Sequence, residues 1–376
     1  MMARKRVSDD GRMAMALNPF SLFRRRPLDL SGDPIALDPF THYARLRRRG
    51  PVHWLPHHGV WIVLGYEDVK TAFEQPEVFS NKPYADIDSV LLAADPPDHR
   101  ATRTLISRHF SAEALSRLTE VAEHSALRRL GGEIDGVKDY GRLISRDVGA
   151  AIIGWDDEVV AEIDRLDEET ALPTLIATLD RLADRSTITT QLVADGGGAI
   201  TPDEARSLVR LLWLAATTTT ERVIGRGILR LLEEPRVRGA LMADRSLMPA
   251  FVEEVTRLHP PEHMVPRLTR AAVRLGGVEI PSGSIVHLCV SAANRDPAIY
   301  SSPDELRLDR PVRRHFAFGA GIHSCVGAPL TRRVVAMALN TLLDRSPGFE
   351  AAEPLSGLDY FSTMTALSPR RLLIRT

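Results

Sequence analysis

Phe318-Gly319-Ala320-Gly321-Ile322-His323-Ser324-Cys325-Val326-Gly327 is the stretch on which the reading of this chain turns. A single cysteine lies two residues before one glycine and four after another, with an aromatic ring seven positions upstream. A loop built this way presents one sulfur to a flat cofactor. Backbone carrying that sulfur must lie almost against the ring system, so Gly321 and Gly327 are expected to remove side chains that would collide there and to adopt φ > 0 where the loop turns. From Ala328 to Leu339 the sequence reads as an apolar-faced helix, which puts Cys325 just before a helix N-terminus. Unpaired N–H groups and the helix dipole at such a point favour an anionic sulfur. The cofactor that suits a thiolate in this setting is haem, with Phe318 shielding the sulfur from water and His323 placed to hydrogen-bond a propionate. A bare C-x-G fits a buried structural cysteine on a turn just as well; the full pattern is far more specific.

Taken as F-G-x-G-x-H-x-C-x-G, the stretch resembles the signature of the cytochrome P450 family, and other segments agree with it in the right order. Glu254-Val255-Thr256-Arg257 is similar to the family's E-x-x-R motif, with Glu254 and Arg257 on one helix face at i,i+3, and Arg310 matches the arginine that completes the triad. E-x-x-R alone carries no information; its distance upstream of Cys325 does. The resemblance implies a buried network that locks the core under the haem. Asp95-Pro96-Pro97-Asp98-His99-Arg100-Ala101-Thr102-Arg103 contains the family's H-x-x-x-R as His99 and Arg103, and Arg267 matches a third anchor. By this resemblance His99, Arg103, Arg267 and His323 meet the two haem propionates through charge-assisted bonds. A solvated basic helix is the plainer reading of the first pair. Together these matches imply a mainly α fold with small β-sheets, the cytochrome P450 fold, as a single haem domain over residues 29–376 after a flexible segment 1–28. They also imply a haem b whose iron is held by the Cys325 thiolate.

The composition is compatible with this. At 376 residues the chain can bury a sizeable core as one large domain or two, and 44% hydrophobic with 26% charged residues describe a globular protein. A net charge of −1 argues against nucleic acid as a bulk electrostatic partner. Cys289 and Cys325 are the only cysteines and have no C-x-x-C spacing, so neither a disulfide framework nor a zinc site is indicated; Cys289, in an apolar run, reads as core. His53, His57 and His58 sit in a turn and are assigned no metal. No window reaches the ~20 apolar residues of a membrane helix. Asp9, Asp10 and Arg12 interrupt the basic N-terminus before it can form a signal peptide or membrane anchor. The expectation is a cytoplasmic bacterial enzyme.

Periodicity predicts helices at about 67–75, 98–108, 112–130, 143–154, 158–183, 202–234, 236–243, 248–259 and 328–345, with strand signals over 52–65 and 265–290. Thr201-Pro202-Asp203-Glu204 reads as a capping box that opens the long central helix. The middle of that helix departs from the family. Counted back from Gly227 and Pro235, the family's A-G-x-[DE]-T falls on Ala215-Ala216-Thr217-Thr218-Thr219. Thr219 stands at the family threonine, which with the acid passes protons to bound oxygen. Ala216, however, replaces the glycine that lets the helix bulge, and Thr218 replaces the acid. A hydroxyl cannot relay protons by titrating near neutral pH. Two explanations compete: solvent or Glu221, close by on the same helix, supplies the protons and hydroxylation is intact, or the oxidant serves another reaction such as aryl coupling. Under either, β-branched hydroxyl residues can bond i−4 carbonyls and distort the helix without glycine.

The function implied is a haem-thiolate monooxygenase that activates dioxygen and oxidises a small organic or natural-product-type substrate. Its electrons would come from a ferredoxin and ferredoxin reductase, because no flavin or Rossmann fingerprint occurs in the chain. Arg100, Arg108, Arg313, Arg314, Arg332 and Arg333 form the basic face expected to dock an acidic ferredoxin. An oxidative coupling enzyme, a peroxide-driven one, and a catalytically impaired haem-binding interaction protein are the alternatives. The stretch from Trp155 to Ala215 is short for the helices that roof the site in the family, and Pro173 and Ser186-Thr187-Ile188-Thr189-Thr190 break its periodicity. A short roof implies a wide mouth and a peptide- or carrier-borne substrate; a compact lid over a small molecule is the other reading. Substrate-facing positions are expected at Tyr84, Ile87, Val90 and Leu91, at Leu212, Ala215 and Ala216, at His263, Met264 and Val265, and from Phe361 to Met364.

Overall fold

A computed structural model describes residues 38–166, 172–198, 200–311, 314–362 and 365–376. The expected flexible segment 1–28 therefore lies outside the described residues. The first half of the chain runs α1 (Pro39–Arg49), β1 (Val52–Leu55), β2 (Val60–Val63), α2 (Tyr66–Glu74), β3 (Phe79–Ser80), α3 (His99–Ser107), α4 (Ala112–Leu127), β4 (Glu133–Asp135), α5 (Leu143–Ile153), α6 (Asp157–Ile163), α7 (Leu172–Ala183) and α8 (Thr187–Asp195). The second runs α9 (Pro202–Glu233), α10 (Pro235–Ala243), α11 (Met248–Leu258), β5 (Met264–Thr269), β6 (Val273–Leu275), β7 (Val278–Ile280), β8 (Ile285–Cys289), α12 (Val290–Ala293), α13 (Ala328–Arg345), β9 (Glu350–Ala351), β10 (Tyr360–Ser362), β11 (Leu367–Pro369) and β12 (Leu373–Arg375).

Local chemistry sets the helix ends. The Thr201 hydroxyl accepts from Glu204 N at 3.3 Å while the Glu204 carboxylate accepts from Thr201 N at 2.8 Å, so α9 begins on the expected capping box. Among the helices that escaped the periodicity are α1 and α8. Asp38 accepts from Thr41 N at 3.1 Å and Pro39 fills the first turn, which starts α1. Ser186 accepts from Thr189 N at 3.3 Å and caps α8, so the Ser/Thr run expected to break the pattern starts a helix instead. The single helix expected over 158–183 is two, α6 and α7, with Pro173 in the first turn of the second.

α9 is the axis of the molecule. Its Val223, Ile224, Ile228 and Leu229 belong to one core with Ile144 and Val148 of α5, Val255 of α11 and Leu339 of α13. Gly227 makes the crossing with α13 possible, since a Cβ there would lie 2.7 Å from Leu339 Cδ1. To one side stands a five-stranded sheet in the order β1-β2-β8-β5-β3, in which β5 and β8 run antiparallel and set Arg267 opposite Val286. The Cys325 loop packs on α2, where Gly319 and Gly321 lie against Phe73.

His287, buried in the middle of β8, fixes a pH limit on the fold. Burial pushes its imidazole down to about 4. In the unfolded chain the same ring titrates near ~6.5. Between those values the unfolded state holds one more proton, so stability is complete above about pH 6.5 and falls by about 1.4 kcal/mol per pH unit as the pH drops toward 4. Denaturant unfolding at a series of pH values should show a slope shallower in His287→Leu than in wild type by about that amount.

Candidate functional site

Cys325 lies between a 3₁₀ turn, Gly321–His323, and α13. Its N–H donates to the Phe318 carbonyl at 2.8 Å and closes a tight loop through Gly319 at φ +64° and Gly321 at φ +66°. Gly321 is imposed by backbone: a Cβ there would lie 2.2 Å from the Phe73 carbonyl oxygen. Gly327 corrects the expectation of a second left-handed turn. It has φ −81° as the N-cap of α13, and a Cβ would meet Phe110 and Cys325 Sγ at 3.8 and 3.9 Å, ordinary contact distances. The second left-handed glycine is Gly319, because the chain reverses before the sulfur, not after it. Gly321→Ala should therefore cost about 1–3 kcal/mol. Gly327→Ala should cost markedly less, a difference that thermal unfolding of the two variants reads directly.

The Phe318 ring is held between two groups. His315 stacks at 6.0 Å between centroids and the Arg332 guanidinium lies 4.3 Å from the ring centre. Both bind Glu253, His315 Nε2 at 3.0 Å from Oε2 and Arg332 through Nε and, at 3.2 Å, Nη2. Burial would raise the Glu253 carboxyl, but His315 and Arg332 outweigh it and bring it down to about 2. Arg332 is thus engaged within the molecule and is not a free member of the expected docking face. Arg100, Arg108, Arg314 and Arg333 are exposed, and Arg313 lies outside the described residues.

Cys325 keeps accessible surface, yet its sulfur lies deep in the fold. Burial raises the thiol; the N–H groups of Gly327 and Ala328 and the charges of Arg103 and Arg332 pull it the other way. On the same side His99, the first residue of α3, and His323 approach to 4.4 Å between ring centroids, and the Nε2 of each is buried without a partner. Burial, then His99 and Arg267, push the His323 imidazole down to about 3. Arg267, buried on β5, stacks 5.1 Å above Phe73, and burial lowers it to about 10. Arg103, also lowered by burial, feels the Cys325 charge. Among the described residues, the acid facing this cluster is Asp95, which already holds Ser80 Oγ at 2.6 Å, Asn81 N at 3.1 Å and Arg270.

Beneath the loop, Arg257 Nε and Nη2 reach the Glu254 carboxylate at 2.7 and 2.9 Å, and Arg310 Nε reaches it at 2.9 Å. Arg257 also donates to the carbonyls of Asn294, Pro303 and Glu305, and Arg310 to those of Ser301, Ser302 and Glu305.

In its middle, α9 passes through Ala216 as unbroken α-helix. The hydroxyls of Thr217, Thr218 and Thr219 donate to the carbonyls of Trp213, Leu214 and Ala215 at 2.8, 2.7 and 2.7 Å. The back-bonding is present, and the distortion expected from it does not interrupt the helix. Several expected substrate positions are spent on packing: Leu91 and Leu212 join the core under α8, Met264 packs with Tyr43 and Leu55, and Ile87 and His263 are buried. Ala215 is exposed, and Tyr84, Val90, Ala216, Val265 and Phe361 are half-buried; Thr363 and Met364 lie outside the described residues.

A family model described as cytochrome P450 matches residues 176–346. The chain is 30% identical over 371 residues to the cyclomarin C epoxidase CymV of Salinispora arenicola, covering 88% of this chain and 93% of that protein. The chain belongs to the cytochrome P450 family. Its structure superposes on CYP109E1 from Bacillus megaterium, solved with corticosterone, with a TM-score of 0.80 at 26% identity over 90% of this chain and 98% of that one. P450BioI, solved with an acyl carrier protein bearing hexadec-9Z-enoic acid, gives 0.79 at 25% identity over 90% and 98%.

A P450 carries haem with iron ligated by a thiolate, and it is an oxidoreductase that incorporates oxygen. The residues present fit that group. Two buried imidazole nitrogens without partners, two desolvated arginines and one committed acid form a cationic pocket that calls for two carboxylates, beside a sulfur turned toward N–H groups. No helix among the described residues is long and apolar enough to cross a membrane. Glu253, His315 and Glu262 were not singled out from the sequence; a carboxylate directly before Glu254, and a histidine three residues before Phe318, were the only signals available.

Proposed function

We propose that this P450 takes electrons from a ferredoxin and its reductase in the bacterial cytoplasm and inserts oxygen into a natural-product-type small molecule. What carries this reading is the gathering of His99, Arg103, Arg267 and His323, desolvated and two of them with unpartnered ring nitrogens, beside Cys325. When bound, the haem would supply dioxygen activation at its iron. Cys325 would hold the iron, and the four anchors would neutralise the propionates. Phe318, gripped by His315 and Arg332, keeps water from the sulfur. Thr219 Oγ1 spends its hydrogen on the Ala215 carbonyl and offers lone pairs on its open side. Arg100, Arg108, Arg314 and Arg333 supply the exposed positive charge for a ferredoxin.

CYP109E1 with corticosterone supports an apolar, multi-ring substrate, and the cyclomarin C epoxidase CymV supports oxygen insertion into a natural product. The carrier complex of P450BioI, with the short roof helices α6, α7 and α8, supports a second reading in which the substrate arrives on a carrier. Ferredoxin-driven reduction of the holoprotein under carbon monoxide tests the electron route. It should give the red-shifted Soret band of thiolate ligation at a rate that falls as salt is raised; reduction at one rate from low to high salt would discard the docking face.

A further inference from the structure

The distal helix of this P450 lacks its acid at Thr218, and Glu221 does not replace it. Glu221 lies two positions from Thr219, about 160° around the helix, so the two side chains face apart. Its backbone faces Gly141, whose Cβ would lie 3.2 Å from the Glu221 carbonyl. Arg222 is placed differently. It stands about 40° from Thr218 and about 60° from Thr219, and side chains on a helix lean toward its N-terminus, over that turn. There Arg222 Nη1 holds a carboxylate from another element, Glu262 Oε1, at 2.8 Å, with the Pro261 carbonyl at 3.1 Å. The Phe361 ring covers the guanidinium at 5.4 Å.

Glu262 occupies the segment between α11 and β5 that leads to Arg267. Its side chain is 37% accessible although burial raises its carboxyl, with Arg222 opposing. The carboxyl is thus held at the Arg222 turn of α9 with part of its surface open. Half-buried Tyr84, whose phenol feels the charges of both Arg267 and Glu262, stands on that side. We propose that Glu262 is the distal acid of this site, contributed from the segment ahead of β5 to the helix face where Thr218 has none. The inference rests on the reading that Thr219 faces bound oxygen.

The proton movement is simple. In the turns of the cycle in which Glu262 is protonated, its O–H bond breaks, the proton passes to a water held at Thr219 Oγ1, and that water releases one of its own protons to the oxygen substrate. The carboxylate left behind stays on Arg222 until it takes a proton from solvent water, and no electron moves. Thr219 cannot serve as the donor, because its hydrogen is committed to Ala215. It can hold the water.

Four holoproteins test this: wild type, Glu262→Gln, Glu262→Asp and Glu221→Gln. The first measurement is the infrared stretch of carbon monoxide on the reduced haem, in H₂O and in D₂O. The wild-type band should move on exchange, the Glu262→Gln band should be displaced and insensitive to exchange, and Glu262→Asp and Glu221→Gln should behave as wild type. The second is hydrogen peroxide released per dioxygen consumed without added substrate, driven by a plant-type ferredoxin and its reductase. It should rise at least severalfold in Glu262→Gln alone. A Glu262→Gln protein that keeps the thiolate Soret band, the wild-type infrared behaviour and the wild-type peroxide fraction overturns the inference; a wild type without the thiolate band overturns the underlying reading instead. If Glu262→Gln fails to fold, Arg222→Lys carries the test, since a loosened carboxylate should displace the band in the same direction.

Discussion

Replacing Cys325 with serine should abolish the red-shifted Soret band of the reduced carbon monoxide complex and with it oxygen insertion, while the polypeptide melts close to the wild-type temperature. The bond that shapes the loop, from Cys325 N to the Phe318 carbonyl, is made by backbone and survives the change. Gly319 and Gly321 keep their left-handed conformations, and Gly327 still starts α13. What is lost is the one soft, anionic ligand atom, and an alcohol is not deprotonated or donating in the same way. The control is the other thiol. Cys289 is fully buried on β8 beside Tyr43, and burial pushes its thiol up to about 12. Cys289→Ser keeps a hydrogen-bonding group beside Tyr43 and the Ser291 and Ala292 N–H groups and should change stability only modestly, without moving the Soret band. If Cys325→Ser kept the band or Cys289→Ser lost it, the wrong sulfur would have been assigned.

The contrast between these two cysteines also shows what the chain makes legible. Local patterns with a strict geometric reason transfer well from sequence to structure. Thr201 to Glu204 predicts the start of α9, and Glu254, Arg257 and Arg310 are brought together as their spacing implies. Patterns whose meaning depends on a distant partner do not. Gly327 looks like Gly321 in the sequence, yet only Gly321 meets backbone from α2, a contact that no spacing within the loop could reveal. Arg332 reads as one more surface cation until Glu253 and Phe318 are seen on either side of it. Leu212 and Met264 have the periodicity of pocket residues because a pocket wall and a core share one rule, apolar on one face. The acid missing from α9 is the same case. A helix motif can report only what the helix carries, and Glu262 arrives from another element forty positions downstream of Arg222.

Glu254→Gln should be the most damaging single change outside the ligand itself. The carboxylate is shared by Arg257 and Arg310, whose side chains are only 2% and 7% accessible, and by the Arg307 N–H at 3.1 Å. Glutamine keeps the shape but removes the charge and turns two acceptor positions into an N–H₂ group that faces guanidinium donors. Breaking a buried pair from one side costs about 3–5 kcal/mol, because the charges left behind are uncompensated. Against a total stability of about 5–15 kcal/mol, that is a large fraction. The damage should reach the haem before it reaches global unfolding. Arg257 holds the Asn294 carbonyl at 3.0 Å, and Asn294 Oδ1 in turn accepts from Phe316 N at 2.7 Å, two residues before Phe318. Slackening Arg257 therefore loosens the strand that delivers the sulfur. Burial alone would raise the Glu254 carboxyl, but Arg257 and Arg310 hold it below its ordinary value. Its contribution is accordingly present above the unfolded-state pKa of about 4.3 and lost as the pH falls through the folded value. Wild-type stability should therefore drop more steeply below pH ~4.3 than that of Glu254→Gln. Haem loss on dilution into apomyoglobin, followed alongside denaturant unfolding at neutral and acid pH, separates the two effects. A variant that loses stability but not haem would break the proposed link from Arg257 through Asn294 to the Cys325 loop.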